Sequence, residues 1–492
     1  MEKKCGVIMP VFSLPTKYAI GSLGKRAYDF VDFLSKSGQT YWQFLPLVQT
    51  GYADSPYQSC CSYSGNPYFI DVEILCEKRL LTHREIMTAI EKGEKIDYGK
   101  LYVDRYALLR KAYSRFDTTG KEFVAFLRKG KFNDYALYMT LKTKYQKPWY
   151  EWQKEYKFRD EDALKKLKKT DKEEYLFWQW LQFEFWNEWK QLKKYANSKG
   201  IKFIGDLCLY MAYDSCDVWK NPQNFILDEN LTPTKVAGVP PDYFSATGQL
   251  WGNPVYNYEN MAKDGYSWWK NRIKDALSVY DKVRVDHFRG FDRFWTVPYG
   301  AKDAINGKWE NAPGREIFAE FNDGDIIAED LGFIDDGVKD LLKCTGYPGM
   351  KVVLFSFDGG DLNTYLPWNI EENSITYTGT HDNDTVVGYL KSLDSERFAH
   401  VKERVQKCLD YYKINKHLSG VESMWDAIMD IAYASNSYIT IVPIQDVLGL
   451  DNKYRINTPG STGCWTMRIK ESVFTQTLST AMKRRAKRFD RD

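Results

Sequence analysis

The stretch Lys282-Val283-Arg284-Val285-Asp286-His287 is a short run with valines two residues apart that closes on an acid. Asp325-Ile326-Ile327-Ala328-Glu329-Asp330 repeats the pattern, and Thr376-Tyr377-Thr378-Gly379-Thr380-His381-Asp382-Asn383-Asp384 ends in a dense polar group. Eight such β-branched or apolar runs occur, at 6–12, 40–47, 201–209, 283–287, 325–329, 350–355, 374–380 and 438–443. They are too apolar on both sides for a half-exposed antiparallel sheet. Several are separated by helical patterns, which predicts an α/β chain folded as a (β/α)8 TIM barrel. The 43 residues from Asp286 to Glu329 fit one strand–helix unit with a generous loop. The 53 from Glu329 to Asp382 fit two compact ones.

A chain of 492 residues would by length alone suggest two or three domains, but barrels of this kind grow by insertion into their loops. Residues 1–70 hold the first two barrel units, and 71–200 form a mainly helical insertion leading into the third strand. Residues 201–492 complete the barrel, with a loop insertion at about 221–266 that is rich in Pro, Gly, Asn and Tyr. The clearest helix of the first insertion is predicted to start at Thr170, with Glu173 three residues on in capping-box spacing. It runs through Trp178, Phe185 and Trp189 and stops near Gly200.

Composition narrows the function. Net charge is +3 from 69 basic and 66 acidic residues, so there is no broad field for nucleic acid or an anionic membrane. The basic run from Lys483 to Arg491 reads as a solvated helix end. No apolar stretch approaches the roughly 20 residues of a membrane span. The opening Met1-Glu2-Lys3-Lys4 leads into a run too short and polar for a signal peptide, and the expected location is cytoplasmic. Nine cysteines with no Cys-x-x-Cys pair read as reduced, buried thiols. No obligate protein partner is evident. Aromatic residues make up 16% of the chain, with 16 Trp and 35 Tyr, and sugars present flat C–H faces that pack on such rings.

In a barrel of this type the active site lies where strands end at the C-terminal face. Carboxylates closing three strands either cap the following helices or share one site. Two acids facing one space suit glycosidic bond chemistry, one attacking the anomeric carbon and one protonating the leaving oxygen. Asp286 is the candidate nucleophile. Arg284, two residues earlier on the same strand face, would keep it ionised. Glu329 is the candidate acid/base, its pKa raised by neighbouring carboxylates. His381 and Asp382 would hold sugar hydroxyls. A metal site built from His381, Asp382 and Asp384 is the alternative reading, although five histidines without a His-x-x-x-His spacing give it little support. No glycine-rich phosphate loop stands near the late strands, and no cofactor is expected.

Around these acids the sequence resembles the amylomaltase or disproportionating-enzyme family of 4-α-glucanotransferases, relatives of the α-amylase superfamily. The blocks run in order along nearly the whole chain. They include Trp42-Gln43-Phe44-Leu45-Pro46-Leu47, Asp54-Ser55-Pro56-Tyr57-Gln58, Gly205-Asp206-Leu207 and Gly238-Val239-Pro240-Pro241-Asp242-Tyr243-Phe244-Ser245. Gln249-Leu250-Trp251-Gly252-Asn253-Pro254, Ala328-Glu329-Asp330-Leu331-Gly332 and Arg455-Ile456-Asn457-Thr458-Pro459-Gly460 follow. The resemblance implies a nucleophile at Asp286, an acid/base at Glu329 and a transition-state-stabilising aspartate at Asp382. It implies sugar contacts from Tyr57, Asp206, Arg284, His381 and Asn457, and a substrate-covering loop with Tyr243, Phe244, Gln249 and Trp251. Cys60, Cys61, Cys208, Cys216 and Cys464 depart from the family's usual residues without touching the acids.

The implied reaction is transfer of α-1,4-glucan segments from maltooligosaccharides, starch or glycogen-type glucans to the 4-hydroxyl of an acceptor, with retention. The same acids serve an α-glucan hydrolase of the amylase type, and a non-catalytic glucan-binding protein is the remaining alternative. Aromatic residues that exclude water and position an acceptor decide between transfer and hydrolysis.

Overall fold

A computed structural model of the chain describes residues 2–91, 93–241, 245–322, 324–332, 334–360 and 362–492. Its strands, in chain order, are β1 (Lys4–Ile8), β2 (Tyr41–Gln43), β3 (Lys202–Leu207), β4 (Lys235–Val239), β5 (Gln249–Pro254) and β6 (Lys282–Val285). There follow β7 (Arg293–Pro298), β8 (Lys308–Asn311), β9 (Ile326–Ala328), β10 (Gly349–Val352), β11 (Ser374–Tyr377) and β12 (Ile439–Pro443). Eight of them close into one barrel in the order β1-β12-β11-β10-β9-β6-β3-β2, each pair parallel. All eight predicted runs supply these strands, and most of their residues are buried on both faces, the polar Arg284, Ser374 and Thr376 included.

The strands are shorter than the runs that predicted them. β6 stops at Val285 and β9 at Ala328, so Asp286 and Glu329 stand one residue past the ends. Past Val352 the sixth run turns into the 3-10 helix Val353–Phe357. Close packing dictates small residues inside the wall. A Cβ on Gly205 would stand 2.1 Å from the Tyr280 ring, so that ring can lie over β3 only because position 205 has no side chain.

Residues 71–200 contain the helices Val72–Glu77, Tyr98–Tyr113, Asn133–Tyr145 and Lys172–Ser198, among others. The last begins later than its sequence suggested. Thr170 is the final residue of the preceding helix, Glu161–Thr170, and its hydroxyl donates to Asp171 at 2.7 Å. Asp171 occupies the N-cap and makes no capping bond, so packing rather than a capping box fixes this helix. Its aromatics are core: Trp189 lies 5.3 Å from Phe44 and 5.1 Å from Phe203, ring centre to ring centre, tying the insertion to the barrel wall.

The segment 221–266, expected as loop, carries β4, β5 and the helix Tyr258–Ala262. With β7 and β8 these strands form a four-stranded antiparallel sheet, β5-β4-β7-β8. Half of this sheet comes from the chain between Asp286 and Glu329. That partnership is non-local and leaves no local periodicity to read.

The basic run at the C-terminus is also more than a solvated end. Arg485 and Arg488 pair with Asp430 at 2.9 and 3.2 Å. Arg491 is fully buried and donates to the carbonyls of Tyr433 (2.6 Å), Ser435 (2.6 Å) and Lys4 (3.3 Å). It ties β1 to the chain leading into β12. Arg491→Ala should lower unfolding stability by about 3 kcal/mol, since buried carbonyls lose charged donors. Arg484→Ala, on an exposed residue of the same run, should change it by less than about 0.5 kcal/mol. Calorimetric midpoints of the two variants check this, and equal midpoints would refute it.

Candidate active site

Parallel pairing places Asp206 of β3 opposite Arg284 of β6. Neighbouring positions on one face of a sheet are within side-chain reach, and the Arg284 guanidinium uses that proximity. Nη1 donates to Asp206 Oδ1 at 2.7 Å and to Asp286 Oδ1 at 3.0 Å, while Nη2 stands 4.0 Å from Glu329 Oε2. Arg284 is 4% exposed and Asp206 7%. One buried cation therefore faces three carboxyls, from the ends of β3, β6 and β9.

The remaining predicted residues arrive from other strand ends. Tyr57, in the loop after β2, donates its hydroxyl to Asp206 Oδ2 at 2.6 Å. Its ring stacks on the His381 imidazole with centroids 5.1 Å apart and planes at 12°. His381 and Asp382 follow β11, and His381 Nε2 lies 3.4 Å from Asp382 Oδ1. Asn457, after β12, donates its side-chain amide to Asp382 Oδ1 at 2.6 Å and its backbone N–H to the His381 carbonyl at 3.1 Å. Gln249 and Trp251 sit on β5, where the Trp251 indole donates to Gln249 Oε1 at 3.1 Å and meets the His287 ring edge-on at 4.9 Å. Tyr243 and Phe244 lie outside the described residues.

Three contributors carry no signal as acids or hydroxyls do. Trp465 completes an aromatic wall with Tyr57 and His381, at 5.8 and 6.0 Å. Arg455 donates to the Asp382 carbonyl at 2.6 Å and to the Asp384 carboxylate, pinning the loop that holds Asp382. Glu329 is held by backbone N–H groups, from His287 to Oε2 at 2.8 Å and from Leu331 to Oε1 at 3.0 Å. Arg455 and Trp465 lie within or beside a sequence block already singled out, but main-chain donors have no residue-type signature.

The electrostatics divide the two central acids. Burial raises both carboxyls well above their ordinary range, against the pull of Arg284. Arg284 touches Asp286 directly and Glu329 only at 4.0 Å, which favours ionisation of Asp286 over Glu329; Asp286 is raised to about 7 and Glu329 to about 8. Arg284 pulls Asp286 toward its ionised form, but burial outweighs that pull and lifts the carboxyl above a free aspartate, so the expectation that Arg284 keeps it ionised is not met by the cation alone. Burial also holds His381 below the usual histidine value, against the pull of Asp382. Among the described residues no group of three or more His, Cys, Asp or Glu is arranged to hold a metal ion. No helix among them is long and apolar enough to cross a membrane.

A family model described as 4-alpha-glucanotransferase matches residues 9–475. The 4-alpha-glucanotransferase of Clostridium butyricum is 45% identical over 488 residues, covering 97% of this chain and 98% of that one. That of Thermus thermophilus is 38% identical over 484 residues, 95% of each. The solved structure of the amylomaltase from Streptococcus agalactiae in complex with acarbose superposes with a TM-score of 0.93, at 34% identity and full coverage of both chains.

The protonation state is measurable without any substrate. A difference infrared spectrum, wild type minus Glu329→Gln, should show a protonated carboxyl below neutrality that disappears as pH rises through about 8. A band lost already in the ordinary carboxylate range would place the proton elsewhere.

Proposed function

The chain belongs to the 4-alpha-glucanotransferase family, and from that premise we propose a retaining double displacement on α-1,4-glucans. The observation that carries it is the Arg284-centred cluster at the mouth of the barrel, where the guanidinium touches the Asp286 carboxyl directly and stands 4.0 Å from Glu329, whose pKa is pushed up to about 8. Donor maltooligosaccharide binds with its reacting ring between the Tyr57–His381–Trp465 wall and the acids. An Asp286 oxygen attacks the anomeric carbon while Glu329 gives its proton to the departing glycosidic oxygen. The bond to the leaving chain breaks, and a glycosyl ester forms on Asp286.

Glu329, now ionised, takes the proton from the 4-hydroxyl of an acceptor glucose or glucan, whose oxygen displaces Asp286. Asp382, oriented by Asn457 and Arg455, stabilises positive charge on the ring. Arg284 neutralises the Asp286 carboxylate when it is released, and Asp206 and Tyr57 anchor Arg284 and the sugar hydroxyls. The second step favours sugar over water when an acceptor is held at high effective concentration. Gln249 and Trp251 on β5 are the candidates for that acceptor side, together with Tyr243 and Phe244. Maltooligosaccharides and starch or glycogen-type glucans are the substrates proposed, with no cofactor in any step.

Incubation with maltotriose alone should yield glucose and a ladder of longer maltooligosaccharides at constant total reducing ends. Rising reducing ends with only shorter products would instead mean hydrolysis. Asp286→Asn should lower turnover by about 10^4-fold or more while sparing oligosaccharide binding. The first step needs Glu329 protonated, so turnover should fall as pH rises through about 8. A rate flat across that range would remove Glu329 from the acid role.

A further inference from the structure

The N–H that His287 gives to Glu329 depends on a backbone conformation that few side chains accept. His287 has φ 48° and ψ 52°, in the left-handed region. Histidine, asparagine and glycine visit that region, whereas a β-branched residue is a gross outlier there. On the C-terminal side, the His287 carbonyl accepts from Gly290 N–H at 2.8 Å, closing the 3-10 turn Phe288–Phe291. Position 290 is tight as well, since a Cβ there would stand 3.2 Å from His287 Cδ2. On the other side, the imidazole is met by Trp251 at 4.9 Å and 81°. Trp251 is itself fixed by its bond to Gln249 and by Tyr210, 5.9 Å away.

The ring does not act as a charge. Burial and the nearby Arg289 lower His287 to about 4, so it is neutral at physiological pH. The groups that face Glu329 are the Arg284 guanidinium, the Asp286 carboxyl, the Tyr365 phenol and the two backbone donors. Asp330, next in sequence, turns instead to Met350 N–H at 2.6 Å and Lys351 at 3.8 Å. His287 reaches Glu329 only through its main chain.

We propose, on the reading of Glu329 as the acid/base, that His287 is a positioning residue for this acid. Trp251 clamps the imidazole, the clamp holds the left-handed backbone, and the backbone N–H orients the Glu329 carboxyl and favours its ionised form. The antiparallel sheet thereby reaches the acid through one aromatic contact, in addition to any sugar it binds.

Three variants, assayed on maltotriose across pH, separate backbone from ring. Glycine keeps the N–H and adopts the left-handed backbone freely, so His287→Gly should keep kcat within about tenfold of wild type. His287→Val should lose about 100-fold in kcat with the KM for maltotriose changed less than about threefold, the scale of a misaligned general acid. Losing a donor to the carboxylate favours its protonated form, so the alkaline limb of the kcat profile should move to higher pH in His287→Val. Trp251→Ala should move the limb the same way by a smaller amount.

Equal losses in His287→Gly and His287→Val would overturn the proposal and assign the imidazole a direct role on substrate. A wild-type limb in Trp251→Ala would overturn it too, and decides the matter even if His287→Val fails to fold by circular dichroism. If the wild-type protein itself makes no ladder from maltotriose, it is the reading of the reaction that fails.

Discussion

The Arg284 guanidinium, buried at the mouth of a closed barrel, is the group on which the whole site depends. It stands 2.7 Å from Asp206, 3.0 Å from Asp286 and 4.0 Å from Glu329, and is 4% exposed. Removing one partner of a buried ion pair typically costs about 3–5 kcal/mol, because a charge is left uncompensated in low dielectric. Such a cluster has to be assembled as a unit, and barrel register assembles it. β3 and β6 are in register with Asp206 opposite Arg284, and β9 follows with Glu329 at its end. Tyr57 then locks Asp206 from the loop after β2, bringing the His381 side of the barrel into the same network.

What could be read from the sequence follows from what has a local signature. A strand covered on both faces is a continuous apolar run, and an acid that ends it is conspicuous, so the eight barrel strands and Asp286, Glu329 and Asp382 were legible. The antiparallel sheet was not, because β4 and β5 find their partners in β7 and β8, across the intervening barrel strand β6. Thr170 and Glu173 carried a sound capping spacing, yet the preceding helix claims Thr170 as its last residue. Local chemistry lost there to the packing of Trp189 against Phe44 and Phe203. The basic run misled for a related reason, since a buried arginine satisfied by carbonyls looks in sequence like any exposed one.

Aromatic content was ambiguous for a different physical reason. The same rings that suit a sugar face also suit a helix interface. Geometry separates them: Trp178, Trp180 and Phe185 are buried within the insertion, whereas Tyr57, His381 and Trp465 line one wall beside the acids. The main-chain donors to Glu329 were invisible in principle. Only the tolerance of histidine for a left-handed backbone hints at position 287, and that hint means nothing until Trp251 and Glu329 are seen on either side of it.

Holding these acids together has a thermodynamic consequence. A carboxyl whose pKa is raised in the folded chain keeps a proton that the unfolded chain has already released. Folded stability therefore falls as pH rises from the ordinary carboxylate range through the raised value, about 8 for Glu329. A barrel mouth lined with apolar residues of similar volume would carry no such penalty. The proposed double displacement explains its retention. It requires, in one water-poor space, an acid that is still protonated at neutral pH and a neighbour more ready to be ionised. Burial alone would raise both together. The unequal reach of Arg284, one ångström closer to Asp286 than to Glu329, favours ionisation of Asp286 over its neighbour, so in the proposed mechanism the placement of a single cation by strand register contributes to the division of roles.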